Sequence, residues 1–261
     1  MSTCARSVAL APAVVLAPAL VLALVGCFAS DRNGDAPPRM ARTFLPVGSS
    51  WIPERDVPRE PQRTPHMVIW ELSAHAGRAP TPAEQAAADA FVARAFEAAE
   101  RHGWFDFERG LADGFHLMHG DRRHYYNERY VFDDVVLDPD RPEFLMYYGT
   151  PSGQKLAGMM FYTRRPDERG EQFGGPLTVW HYHVWSSPNC LVDGLLSVGT
   201  ADEHGRCERG EPRSRTPEMI HVWFLDHPEG PFATSMWLEP EQLRALIERD
   251  ERRALARRAR P

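Results

Sequence analysis

Lysine is nearly missing from this chain: Lys155 stands alone beside many arginines, and acidic residues outnumber basic ones to leave a formal charge of −6. That balance argues against a nucleic-acid partner, which demands a basic face. There is no Gly-x-Ser-x-Gly elbow for a serine nucleophile. There is also no Gly-x-Gly-x-x-Gly turn or phosphate loop, which argues against nucleotide chemistry. Cysteine is scarce, with four in 261 residues and none in a Cys-x-x-Cys pair. Adjacent acids such as Asp133-Asp134 point to different faces and mark a surface turn rather than an acid–base pair. No internal repeat or low-complexity tract is visible.

What is present begins at the N-terminus. One arginine, Arg6, precedes an uncharged Ala/Val/Leu run from Ser7 to Gly26, the pattern of an export signal. An uncleaved membrane helix is the competing reading of such a run. Pro12 and Pro18 within it argue against that. The ending Leu24-Val25-Gly26-Cys27 resembles the lipobox of bacterial lipoprotein signal peptides. The resemblance implies that residues 1–26 are removed and that Cys27 carries lipid. The chain would then be anchored to a membrane in the cell envelope, outside the cytoplasm, facing the periplasm or on the outer membrane. Residues 27–65, rich in proline and poor in apolar periodicity, read as a flexible tether from which the stretch near Trp51 can dock on the domain.

Residues 66–261 suffice for one globular domain with its own core. With Cys4 removed and Cys27 lipidated, Cys190 and Cys207 remain as a pair in an oxidising compartment. A disulfide is the natural reading and metal–thiolate ligation the lesser one. Thr81-Pro82-Ala83-Glu84 has the cap, the N1 proline and the third-position acid that open a helix. Its apolar stripe of Ala87, Phe91, Ala95 and Ala98 runs to Gly103. A shorter helix is expected over 106–113. From Glu143 the period changes to two: Phe144–Tyr148, a turn at Pro151-Ser152-Gly153 and Leu156–Tyr162 predict a hairpin, with further strands at Leu177–Trp185 and Met219–Leu225. Glu239-Pro240-Glu241 starts a last helix with Leu243, Leu246 and Ile247 inward; its Arg-rich end, Arg249 to Arg260, reads as a solvated helix terminus. The expected class is α+β, with N-terminal helices and a C-terminal helix packed on a largely antiparallel β-sheet.

Histidines carry the chemical signal. In Trp180-His181-Tyr182-His183 the two imidazoles share one strand face, and His221 shares a face with Trp223 on a later strand. If those strands are neighbours, three imidazoles converge, and neutral imidazole suits zinc, copper or iron. Trp185 and Trp223 would wall the site. A third cluster holds His116, Met118 and His119, ligand types that suit copper, and His124 with Asn127, of which His124 is a possible fourth ligand. The competing reading is that these histidines only pack and hydrogen-bond.

Several segments together resemble a family of uncharacterised exported bacterial proteins. They are His124-Tyr125-Tyr126-Asn127, Leu137 to Glu143, Leu156-Ala157-Gly158, Gly175-Pro176-Leu177 before Trp180 to His183, and His221-Val222-Trp223 before Gly230-Pro231-Phe232-Ala233. The resemblance spans about residues 80 to 235 and implies no reaction. His181, His183 and His221 also resemble the histidines of cupins, but no carboxylate lies between Val184 and Pro188 where a cupin carries its glutamate. Three functions follow: a metal-binding envelope lipoprotein, a structural or ligand-binding envelope protein without metal, and a metal-dependent enzyme using an acid such as Glu218 or Asp226.

Overall fold

The first helix shows why local chemistry suffices for part of this fold. The Thr81 hydroxyl accepts the Glu84 N–H at 3.2 Å while the Glu84 carboxylate accepts the Thr81 N–H at 2.7 Å, so α1 (Pro82–His102) starts in a capping box and stops at Gly103. A hydrogen bond from Arg78 and the Thr81 N–H hold the Glu84 carboxyl down at about 2. The buried stripe is Ala88, Phe91, Ala95, Ala98 and Ala99, so it centres on Ala88 rather than the half-buried Ala87. Helix α2 (Phe107–Ala112) is capped by Asp106 at one end and Asp113 at the other, as the spacing predicts.

This is a computed structural model. It describes residues 50–53, 66–69, 78–166 and 168–259, all within one unit spanning Pro37–Pro261. The expected signal segment 1–26, the expected lipidation site Cys27 and most of the expected tether lie outside the described residues. Among the described residues no helix is long and apolar enough to cross a membrane.

The remaining elements are β1 (Ser50–Pro53), β2 (His66–Ile69), β3 (Phe115–Leu117), β4 (His124–Asn127), α3 (Glu128–Val131), β5 (Phe144–Thr150), β6 (Gly153–Tyr162), β7 (His181–Val192), β8 (Leu196–Thr200), β9 (Glu211–Arg215), β10 (Met219–Trp223) and α4 (Pro240–Arg258). One sheet joins the strands in the order β1-β2-β7-β10-β6-β5-β4-β3, with β8 and β9 also paired to β7. Every pairing is antiparallel except β1 with β2. The class is α+β, as expected. Strand β1 falls inside the span 27–65, so Ser50–Pro53, around Trp51, belongs to the sheet rather than to a free tether.

Alternation divides the sheet's side chains between two cores. Leu145, Tyr147, Met159, Phe161, Ile220 and Val222 pack with α1 and α2. Phe144, Met146, Met160, Tyr162, Met219 and Trp223 form the second core, closed by Ala233, Leu238 and Leu246. Burying a large apolar side chain contributes roughly 1.5–3 kcal/mol, so both faces matter to stability.

Three expectations need correction. Strand β7 starts at His181, not Leu177, because Pro176 and the positive φ of Gly175 (54°) put 175–177 into a 3-10 turn. The short strands β3, β4, β8 and β9 escape sequence periodicity, because runs of three to five residues are too short to show a period of two. The arginine-rich terminus is not all solvated: Arg249 donates to the carbonyls of Leu156 (2.6 Å) and Phe224 (3.3 Å), and Arg253 stacks on Phe105 while pairing with Glu100. These contacts fasten α4 to the domain through groups that elsewhere would remain in water. Cys190 and Cys207 are disulfide-bonded, closing β7 onto the loop before β9. By chain entropy this link stabilises the fold by roughly 3 kcal/mol.

Candidate metal centre

Strands β7 and β10 are neighbours, with Met219 opposite His181, and this brings His181 and His221 to 4.8 Å between ring centroids. His183 follows at 5.8 Å from His181. The fourth ring is the surprise in the geometry. His124 lies on β4, three strands from β10, a flat-sheet separation of about 14 Å, yet its ring stacks on His221 at 5.5 Å and 28°. The sheet is therefore curled strongly around this face, and the histidines converge in its concavity.

Each of the two stacked rings is oriented by a partner on Nδ1. The turn before β4 places Gly120 in a left-handed conformation (φ 73°), and Asp121 follows it. Asp121 Oδ1 accepts the N–H groups of Arg122, Arg123 and His124 at 2.6, 2.7 and 3.0 Å, and its Oδ2 accepts His124 Nδ1–H at 2.8 Å. On β10, His221 Nδ1 lies 3.1 Å from the Ala233 carbonyl, which also accepts Trp223 Nε1–H at 2.7 Å. A carbonyl only accepts, so Nδ1 of His221 carries the proton and Nε2 the lone pair. In both rings Nε2 is buried and makes no hydrogen bond among the described residues. A ring donating Nδ1–H to a carboxylate or carbonyl with Nε2 free is the arrangement of metal-ligating histidines.

The electrostatics favour neutral rings. Burial first, then the neighbouring imidazoles, push His181 and His221 well below the ordinary histidine value, against smaller opposing hydrogen bonds to the backbone of Val179 and Ala233. Burial and His124 bring His183 down to about 4. Burial alone would raise the Asp121 carboxyl, but the charge and hydrogen bond of His124, with the backbone N–H groups, hold it well below the carboxylate range. Neutral rings at His181, His183 and His221, with an ionised Asp121 beside the cluster, suit a metal ion, which binds deprotonated ligands.

A cavity of about 360 Å³ opens beside the cluster, lined among others by Asp121, His124, His183, Trp185 and Met160. Trp185 thus walls the site as expected, and Trp223 lies 5.9 Å from His221 on the same face. Among the described residues, no three His, Cys, Asp or Glu side chains already stand in position to grip an ion. Two of the ring spacings are of the size that ligation sets: tetrahedral Zn–N bonds near 2.0 Å place ring centroids about 5 Å apart, against 4.8 Å for His181–His221 and 5.5 Å for His124–His221.

The other candidates fall elsewhere. Asn127 does not work with His124: its Oδ1 caps α3 by accepting the Arg129 N–H at 3.1 Å, and its Nδ2 donates to Asp113 O. His116 is exposed beside Tyr126 on β3, whereas Met118 and His119 reach the cavity wall. The Glu218 carboxylate is taken by Arg169 at 2.5 Å and the Gly170 N–H at 3.0 Å, and Asp226 is exposed after β10. The acid at the cluster is Asp121 instead. Its Gly-Asp turn signal three residues before His124 was readable in the sequence. The Ala233 carbonyl had no such signal. The chain matches no protein-family model, no curated protein and no solved structure.

Proposed function

We propose that this protein binds a transition-metal ion through neutral imidazoles of His124, His181 and His221, with His183 adjoining from the cavity wall, and that it does so as a lipid-anchored protein of the cell envelope. The observation that carries the metal reading is the facing pair His124 and His221, each with Nδ1–H committed and Nε2 buried and unpartnered among the described residues. A buried polar atom left without a partner costs about 1–3 kcal/mol, a cost that an ion bound between the rings removes. The bound ion supplies Lewis acidity; the chain supplies ring orientation through Asp121 and Ala233, and limits water through Trp185 and Trp223.

The test is metal content of the full-length protein after separate loading with zinc, copper and iron. The wild type retains a stoichiometric equivalent, H124A/H221A retains none, and D121N, which loses the orienting carboxylate, weakens retention by about 10- to 100-fold. Wild type that retains no metal under any loading reduces the cluster to packed histidines. The envelope assignment has its own test: C27A moves from the membrane to the soluble fraction, and unchanged membrane attachment overturns the lipid anchor.

A second reading, a binding protein for an organic ligand without metal, draws on the cavity of about 360 Å³ and its indole wall. It predicts that D121N leaves cavity binding intact.

A further inference from the structure

Resting on that metal reading, we infer that the ion is monovalent copper, and that methionine thioethers complete its site. Three methionines, Met118, Met160 and Met219, line the same cavity as His124 and His183. Their positions follow from pairing rather than chance. Met160 is the Cα partner of His221 across β6 and β10, and Met219 is the partner of His181 across β10 and β7. Directly opposed residues on a shared face lie about 5 Å apart at Cβ, so each thioether stands beside one of the candidate ligands. Met118 is locked beside His124 by its backbone: its N–H donates to the His124 carbonyl at 2.9 Å, and its own carbonyl accepts the Asp121 N–H at 3.1 Å.

Two arguments select the ion. Thioether sulfur is a soft donor that favours Cu(I), while zinc draws on thiolate, imidazole and carboxylate. Cys190 and Cys207 are tied in a disulfide, and Asp121 has both oxygens engaged, so imidazole and thioether are the strong donors at the cavity, beside the neutral oxygens of Tyr162, Asn189, Ser197, Thr200 and Thr216. Thioether carries no charge in any protonation state. An ion of charge +2 would enter this buried face with only the Asp121 carboxylate, one imidazole ring away, to offset it. Burying charge without compensation is costly, and a monovalent ion meets the smaller cost.

The experiment titrates the full-length protein anaerobically with Cu(I) against bicinchoninate under ascorbate, and separately with Zn(II), for wild type, M160L/M219L and M118L. Methionine to leucine conserves volume, so folding is preserved. Met118 is half-buried on a turn, which keeps one arm free of any folding question. Wild type is expected to withdraw Cu(I) from the competitor, with sulfur in the copper X-ray absorption spectrum. The Cu(I)-over-Zn(II) preference should fall at least about tenfold in M160L/M219L and to a smaller degree in M118L. Metal binding with an all-nitrogen copper shell, or with the same preference in the methionine variants, overturns this inference and leaves the histidine site standing. Binding of neither ion overturns both.

Discussion

Acidifying the metal-free protein from pH 6.5 to pH 5 should steeply lower its unfolding free energy. His181 and His221 lie well below the ordinary histidine value and His183 at about 4, all with burial as the leading cause; His227, buried against Trp223, is also held at about 4. Across this window the folded rings stay neutral while the same rings in the unfolded chain take up protons. The unfolded state therefore binds more protons and gains stability as pH falls. Glu143 works in the opposite sense. Burial raises its carboxyl well above the usual range, so it favours the fold at low pH, and that contribution fades as pH rises. The lowered carboxyls, Asp121 and Glu84 among them, act mainly below about pH 4.5. Four histidines against one carboxyl leave a net uptake of about three protons on unfolding at pH 5. Urea unfolding at pH 7, 6 and 5, with proton uptake measured by calorimetry in buffers of different ionisation enthalpy, checks this. A stability profile flat from pH 7 to 5 would mean that the rings are hydrated. Loading with metal should raise the whole profile and keep its slope, because the bound ion holds the folded rings unprotonated while the unfolded chain still takes up protons.

The second large effect is expected at Gly170. Trp180, fully buried immediately before His181, lies so close to Gly170 that a Cβ there would fall within its indole ring. The indole has no simple retreat, since its Nε1–H is bonded to the Glu171 carbonyl at 3.0 Å and the Gly170 N–H is bonded to Glu218. Gly170→Ala must shift either the ring or the 168–171 backbone, at a cost of about 3 kcal/mol, the upper part of the range for overpacking a filled core. Because His181 follows Trp180, the same variant should weaken metal retention, while an alanine on the open turn at Gly205, where a Cβ meets nothing within 4 Å, should leave retention alone. Gly205 has φ 72°, so that control carries some backbone strain of its own without reaching the cluster. Denaturant midpoints separate the two; a shift at Gly170→Ala no larger than at Gly205→Ala would show that the Trp180 seat yields easily.

Local rules made much of this legible. Thr81, Pro82, Glu84 and Gly103 delimit α1 through capping chemistry that operates within one turn. The period-two runs around Phe144–Tyr148, Leu156–Tyr162 and Met219–Trp223 became β5, β6 and β10, and the cysteine pair became the disulfide. Legibility stopped where partners are remote. The strand of His124 is four residues long and was invisible to periodicity, and Arg249 looked solvated because the carbonyls it serves, Leu156 and Phe224, are set by other elements.

The histidine pattern marks the same division. That His181 and His183 share a face, and His221 shares one with Trp223, follows from the two-residue repeat of a strand and was determined by sequence alone. That β7 neighbours β10, that the sheet curls enough to stack His124 on His221, and that Asp121 and Ala233 direct both rings belongs to tertiary structure. A strand's repeat is a property of its own backbone, whereas curvature and strand order follow from how two hydrophobic faces are covered, by α1 and α2 on one side and by the segment around Ala233, Leu238 and Leu246 on the other.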